Sequence, residues 1–120
     1  LDNKYQGAWF NVGTNYLRQN KIPQAIYSYF NEMEKHPSAQ SMVQIGKGYS
    51  DLGKPDSALI AFEKAIRINK DFAPAYMRLS HLKKDAGEIN EAIAYAKNAK
   101  VINLRRKRVL QHARIALVSK

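Results

Sequence analysis

A chain of 120 residues suits one domain with a modest core, and its 20 Lys or Arg against 10 Asp or Glu leave a formal net charge of +10. The absence of cysteine excludes disulfides and thiolate chemistry, and no run of about eighteen apolar residues is present to span a membrane. The charge is lopsided: residues 1–60 hold six basic against five acidic side chains, residues 61–120 fourteen against five, and no acid follows Glu91. Such a field favours an acidic protein, a nucleic acid or an anionic membrane surface as partner. Opening on Leu1 with no charged-then-apolar leader, the chain reads as a processed or excised piece of something longer, so its localisation stays undetermined.

In chain order, the first apolar segment is AWFNVGTNYLRQN, residues 8–20. Trp9, then a small residue four later (Gly13), then an aromatic three beyond (Tyr16), lie on one face of a helix. KIPQAIYSYFNEMEKHP, 21–37, follows with Ala25 and Tyr29 at the same period. The next pair is SMVQIGKGYSDLG, 41–53, and GKPDSALIAFEKAIRIN, 53–69; the third is AYMRLSHLKKDAG, 75–87, and GEINEAIAYAKNAKVIN, 87–103. Gly13 to Gly46 is 33 residues and Gly46 to Ser80 is 34, while Ala25, Ala58 and Ala92 fall in register. Between the members of each pair sits Asn20, Gly53 or Gly87, residues that tolerate the left-handed conformation ending a helix. Pro23 and Pro55 then fall where a first helical turn accepts a missing N–H. Each unit is expected to be a helix–turn–helix whose alanines let helices approach closely while Tyr29 and Phe62 fill the gaps.

These units resemble the tetratricopeptide repeat (TPR), whose pattern is Trp-x2-Leu-Gly-x2-Tyr followed by Ala, Phe, Ala and Pro over 34 residues. The first unit carries Trp9, Val12, Gly13, Tyr16, Ala25, Tyr29 and Pro37; the second Ile45, Gly46, Tyr49, Leu52, Gly53, Ala58, Phe62 and Ala65; the third Tyr76, Leu79, Gly87, Ala92 and Ala99. It departs from the pattern at Glu32, Lys83 and Ala96, which replace a small residue, a tyrosine and a phenylalanine. The resemblance implies an all-α, right-handed α-solenoid in a single domain, 1–120, with repeats at about 6–38, 39–72 and 73–104. The tail, LRRKRVLQHARIALVSK, repeats Val109, Leu110, Ala113, Ala116 and Leu117 at helical spacing. It is expected to form a separate capping helix over about 105–118, packed on 92–102, because terminal repeats need a polar outer face. Its run Arg105-Arg106-Lys107-Arg108 also fits a nucleic-acid patch or nuclear address, although four adjacent charges cannot share one helix face.

Catalytic signatures are missing. His36, His81 and His112 have no His or Cys partner at helical spacing for a metal. No serine sits in a G-x-S-x-G elbow, and Gly46-Lys47-Gly48 does not meet the phosphate-loop pattern. The reading is therefore a non-enzyme with no cofactor and no metal. Stacked helix pairs curve, and the first helix of each pair lines the concave wall. The offsets select Phe10, Asn11, Thr14 and Arg18, then Val43, Gln44, Lys47 and Asp51, then Met77, Arg78, His81 and Lys84. Such a wall suits a peptide segment of a partner protein, its backbone held by Asn11 and Gln44 and its acidic groups by Lys47 and Arg78. The carboxylate clamp of co-chaperone TPR domains would require Phe10, Thr14, Gln44, Pro74 and Arg78 to be Lys, Asn, Asn, Lys and Arg. Only Arg78 matches, with Gln44 a loose substitute, so the clamp is not expected. Alternatives are a nucleic-acid binder using the basic half, which offers few aromatics besides Phe10 for stacking, the docking domain of a larger enzyme, and self-association.

Overall fold

The computed structural model describes residues 5–119, and these form six α-helices and no strand. In order they are α1 (Ala8–Arg18), α2 (Ile22–Lys35), α3 (Ala39–Asp51), α4 (Pro55–Ile68), α5 (Ala73–Asp85) and α6 (Ile89–Val118). The fold is thus all-α and built of helix pairs. Two compact units are present, one ending at Lys70 and one beginning at Asp71. Residues 1–4 of the expected domain, and Lys120 of its basic tail, lie outside the described residues.

Three turns are built alike. Asn20, Gly53 and Gly87 have φ of 59°, 73° and 81°, the left-handed region that costs glycine nothing and asparagine little. At each turn the N–H one residue beyond reaches back five residues: Lys21 to the Tyr16 carbonyl, Lys54 to Tyr49 and Glu88 to Lys83, all at 2.9 Å. The left-handed residue itself donates three back, to Leu17, Ser50 or Lys84. This paired bonding satisfies carbonyls that a helix end leaves open. Pro23 and Pro55 then stand in the first turn of α2 and α4.

In the first unit, α1 packs on α2, α2 on α3 and α3 on α4. Glycines on the first helices are seats for large side chains from the second. A Cβ added at Gly13 would stand 2.8 Å from Tyr29 Cε1, and one at Gly46 would collide with Phe62 Cε1. Gly48, two residues on and so on nearly the opposite face of α3, admits Ile26 of α2; a Cβ there would lie 2.8 Å from its Cγ1. Consequently α3 is held from both sides through glycines. Tyr29, Phe62, Ala25, Ala58 and Ala65 are buried as their register requires. Ser38 caps α3, its Oγ accepting from the Ser41 N–H at 3.1 Å.

In the second unit α5 packs on α6 around Ala73, Ala99 and Ile102, with Tyr76 against them. Here the glycine seat is Ser80, and the aromatic that would fill it is Ala96. Ser80 Oγ instead donates to the Ala92 carbonyl at 2.7 Å. Lys83, standing where the repeat has tyrosine, reaches Glu88 at 2.9 Å and Glu91 at 3.1 Å, tying the end of α5 to the start of α6. This pairing holds the Glu88 carboxyl below its ordinary 4.5 and raises the Lys83 ammonium.

The expected capping helix is not a separate element. Residues 105–118 continue α6, which runs unbroken for 30 residues and therefore cannot fold back on 92–102. The physical reason is the lack of a stop. Asn103 matches the asparagine that closes α4, but Leu-Arg-Arg-Lys-Arg follows it, strong helix formers without glycine or proline.

The glycine seats are testable. Gly46→Ala gains about 1 kcal/mol of helix propensity but overpacks Phe62 at a cost of about 1–3 kcal/mol. It is expected to lower the melting temperature. Phe62→Leu should then cost less in the Gly46→Ala background than in the native chain, by about 0.5–3 kcal/mol of coupling. Additive effects would dissociate the two residues.

Candidate functional site

The register positions on α1 divide between two roles. Phe10 and Thr14 turn toward α2: the Phe10 ring stands edge-on to Tyr29, centroids 5.2 Å apart at 64°, and Thr14 Oγ1 lies 3.0 Å from the Tyr29 hydroxyl. The Thr14 hydroxyl also donates to the Phe10 carbonyl at 3.1 Å. Burial lifts the Tyr29 phenol above its ordinary 10.0, with the hydrogen bond to Thr14 opposing in part. Asn11 and Arg18, by contrast, are exposed.

On α3, Gln44 and Lys47 are half-buried and Asp51 is exposed. Val43 is 6% exposed and belongs to the core, so its inclusion among surface residues is corrected. The offset rule assumed one packed side per first helix, whereas α3 is packed on two. Gln44 Oε1 is buried with no hydrogen-bond partner. An acceptor left in that state costs about 1–3 kcal/mol, and it sits at the register position that Asn11 occupies on α1. On α5, Met77, His81 and Lys84 are exposed and Arg78 is half-buried, all within one arc of the helix. Pro74 is exposed in its first turn.

Two features of the first unit escaped the sequence pattern. Glu32, which breaks the small-residue rule, is 4% exposed, and its Oε2 accepts the Gly7 N–H at 3.0 Å. A carboxylate there answers the open N–H groups and positive dipole end of α1, which has no side-chain cap of its own. The anomaly at position 32 was visible, but its partner was not. Glu32 Oε1 and, one turn later, His36 Nε2 are buried without hydrogen-bond partners. Among the described residues no three His, Cys, Asp or Glu side chains gather as metal ligands, and no helix is long and apolar enough to cross a membrane.

Comparison with known proteins bears on the fold. A tetratricopeptide-repeat family model matches residues 39–72 and 73–104. Among solved structures, MamA superposes with a TM-score of 0.81 at 24% identity, covering 90% of this chain and 64% of its own. The chain therefore spans under two thirds of MamA. The first TPR of Spaghetti (RPAP3), bound to HSP90 peptide SRMEEVD, superposes at 0.78 with 20% identity over 98% of this chain and 99% of that one. The second TPR domain of human RPAP3, in complex with HSP70 peptide SGPTIEEVD, gives 0.73 at 17% identity over 81% and 82%. No curated protein sequence matches the chain at a significant level.

Tyr29 gives the site a pH signature. Its folded pKa lies above 10.0, so its contribution to stability is complete below about pH 10 and is lost as pH rises through the higher folded value. Tyr29→Phe is expected to cost about 0.5–1.5 kcal/mol at neutral pH through the lost hydrogen bond, and to flatten the fall in stability above about pH 10. Thermal melts of both proteins across that range check this, and parallel curves would contradict it.

Proposed function

The chain belongs to the tetratricopeptide-repeat family, and from that premise we propose a non-catalytic protein-interaction scaffold that holds a peptide segment of a partner protein on its first helices. The fold is one generally used for interaction rather than catalysis, and the RPAP3 domains that share it bind peptides. Each unit offers its own contact set. In the first, Asn11 and Gln44 present amides at equivalent positions of α1 and α3, with Lys47 on the next turn and Phe10, Thr14 and Arg18 beside Asn11. In the second, α5 presents Met77, Arg78, His81 and Lys84.

The observation that carries this reading is the unpartnered Gln44 Oε1. By turning outward about its side-chain torsions, the Gln44 amide would leave its buried, unpaired position and accept a backbone N–H from an extended peptide, so the free protein bears a cost that binding removes. In the first unit Lys47 then favours acidic side chains on that peptide, and in the second Arg78 gives its own contact set the same preference. The occupant differs from the EEVD tails held by the RPAP3 domains. Phe10 and Thr14 are engaged with Tyr29, and Pro74 has no charge, so the cations and amides of a carboxylate clamp are lacking.

Two variants separate stability from binding. Gln44→Met replaces an orphan acceptor with an apolar group of similar length, so it should hold or raise the melting temperature by about 1 kcal/mol of stability while weakening capture of the partner. Lys47→Glu with Arg78→Glu should abolish capture with helicity unchanged. Affinity isolation from native extract followed by mass spectrometry, run with native chain and both variants, reads the difference. A partner retained equally by all three would move the site elsewhere.

A further inference from the structure

The exposed half of α6 carries a second surface, distinct from the first-helix contact sets. From Asn103 onward every described residue of the helix is exposed. The stripe that packs on α5, formed by Ala92, Ala99 and Ile102, does not end where its cover ends. Val109 follows Ile102 by two turns, and Leu117 follows Ala99 by five, so Val109, Leu110, Ala113 and Leu117 prolong the same face. Val109, Leu110 and Leu117 are 68%, 60% and 75% exposed. Where covered and uncovered parts meet, Asp71, Ile102, Arg105, Arg106, Val109 and Leu110 line an open depression of about 300 Å³. A second apolar stripe, Leu104, Ile115 and Val118, lies on roughly the opposite side, and it too is exposed. Cations occupy both flanks between the stripes: Arg105 and Arg108 on one, Lys107 and Arg114 on the other. Arg106 stands on the first stripe itself, one turn after Ile102 and one before Leu110. No acid lies after Glu91 to neutralise them within the helix.

Charge and apolar pattern together select the occupant. Pairing with the same segment of a second copy would set cations against cations, with no acid in either segment and only Asp71 at the edge of the depression. A nucleic acid would answer the arginines through its phosphates but leave Val109, Leu110 and Leu117 in water. A helix lying in a membrane surface uses one apolar face and keeps the other side polar, whereas this one has two apolar stripes. An acidic helix with its own apolar face answers the cations together with the stripe from Val109 to Leu117, leaving Leu104, Ile115 and Val118 on the far side. Its leucines or isoleucines fill the depression at Val109 and Leu110, and its carboxylates meet Arg105, Arg106 and Arg114 in charge-assisted bonds.

We propose that the 103–118 half of α6 is a docking site for an acidic amphipathic helix of another protein, independent of the peptide surface on the first helices. Arg105 and Arg106 steer and orient the incoming helix, and the apolar stripe supplies the burial that retains it.

Fluorescence anisotropy of a labelled synthetic peptide tests this on the 120-residue chain. The probe is a helix of about twenty residues with leucines at three- and four-residue spacing and glutamates on both flanks. Micromolar binding that weakens with salt is expected. Arg105→Glu with Arg106→Glu, and separately Val109→Ser with Leu110→Ser, should each lower affinity at least about tenfold. Because all four side chains are exposed, helicity should be kept in both, as circular dichroism would verify. Lys47→Glu with Arg78→Glu should bind the probe normally, which separates this site from the first-helix surface. The proposal is overturned if the probe fails to bind, or if a polyglutamate peptide of equal charge binds as tightly. It is equally overturned if duplex DNA or phosphatidylserine vesicles retain the chain while the probe does not, or if sedimentation shows a Leu110-dependent dimer.

Discussion

The first unit depends on one constraint, the close approach of α3 to helices on both of its sides. Gly46 admits Phe62 from α4 and Gly48 admits Ile26 from α2, and neither position has room for a Cβ without displacing those side chains. Two glycines inside a helix cost roughly 0.5–1 kcal/mol each relative to alanine. Burying Phe62 and Ile26 returns about 1.5–3 kcal/mol apiece, so the arrangement is favourable despite its weak helix former. Everything on the exposed arc of α3 inherits its position from this clamp. Gln44 and Lys47 stand where they do because the residues between and after them fit no other way.

The same logic explains why the pairs tolerate substitution unevenly. Where the second helix brings an aromatic, the first helix answers with glycine, as at Gly13 with Tyr29 and Gly46 with Phe62. Where the second helix brings Ala96, the first can carry Ser80, whose hydroxyl reaches the Ala92 carbonyl. Size and seat change together. Lys83 shows a parallel exchange, an ion-paired tie to Glu88 and Glu91 standing where the repeat has an aromatic. Glu32 is a third case, a small-residue position given over to a carboxylate that serves the start of α1.

Much of this was legible in the sequence because it rests on local chemistry. The left-handed turns at Asn20, Gly53 and Gly87, the proline-opened helices and the buried alanines each follow from what one residue type can adopt. Val43 was misassigned because the offset rule counts one packed side per helix, and only the assembled unit shows that α3 has two. The tail over about 105–118 was read as a separate capping helix because a terminal repeat needs a polar outer face, but that need does not end a helix that lacks a stop. Tyr29 and Thr14 meet across 15 residues of chain, and Glu32 and Gly7 across 25. No spacing rule reaches such pairs. The orphan Gln44 acceptor was invisible for the same reason, since an unmade bond is a property of the packed structure.

The function proposed here needs rigid first helices that present amides and cations, and rigidity is the measurable part. Native-state hydrogen exchange resolves it by residue. The amides of Gly46 through Gly48 should be among the slowest in the first unit, exchanging only when that unit unfolds as a whole, while residues 105–118 of α6 exchange by local opening. Rapid exchange at Gly46 and Gly48, ahead of their neighbours on α2 and α4, would contradict the account, because a helix that opens alone is not held from both sides.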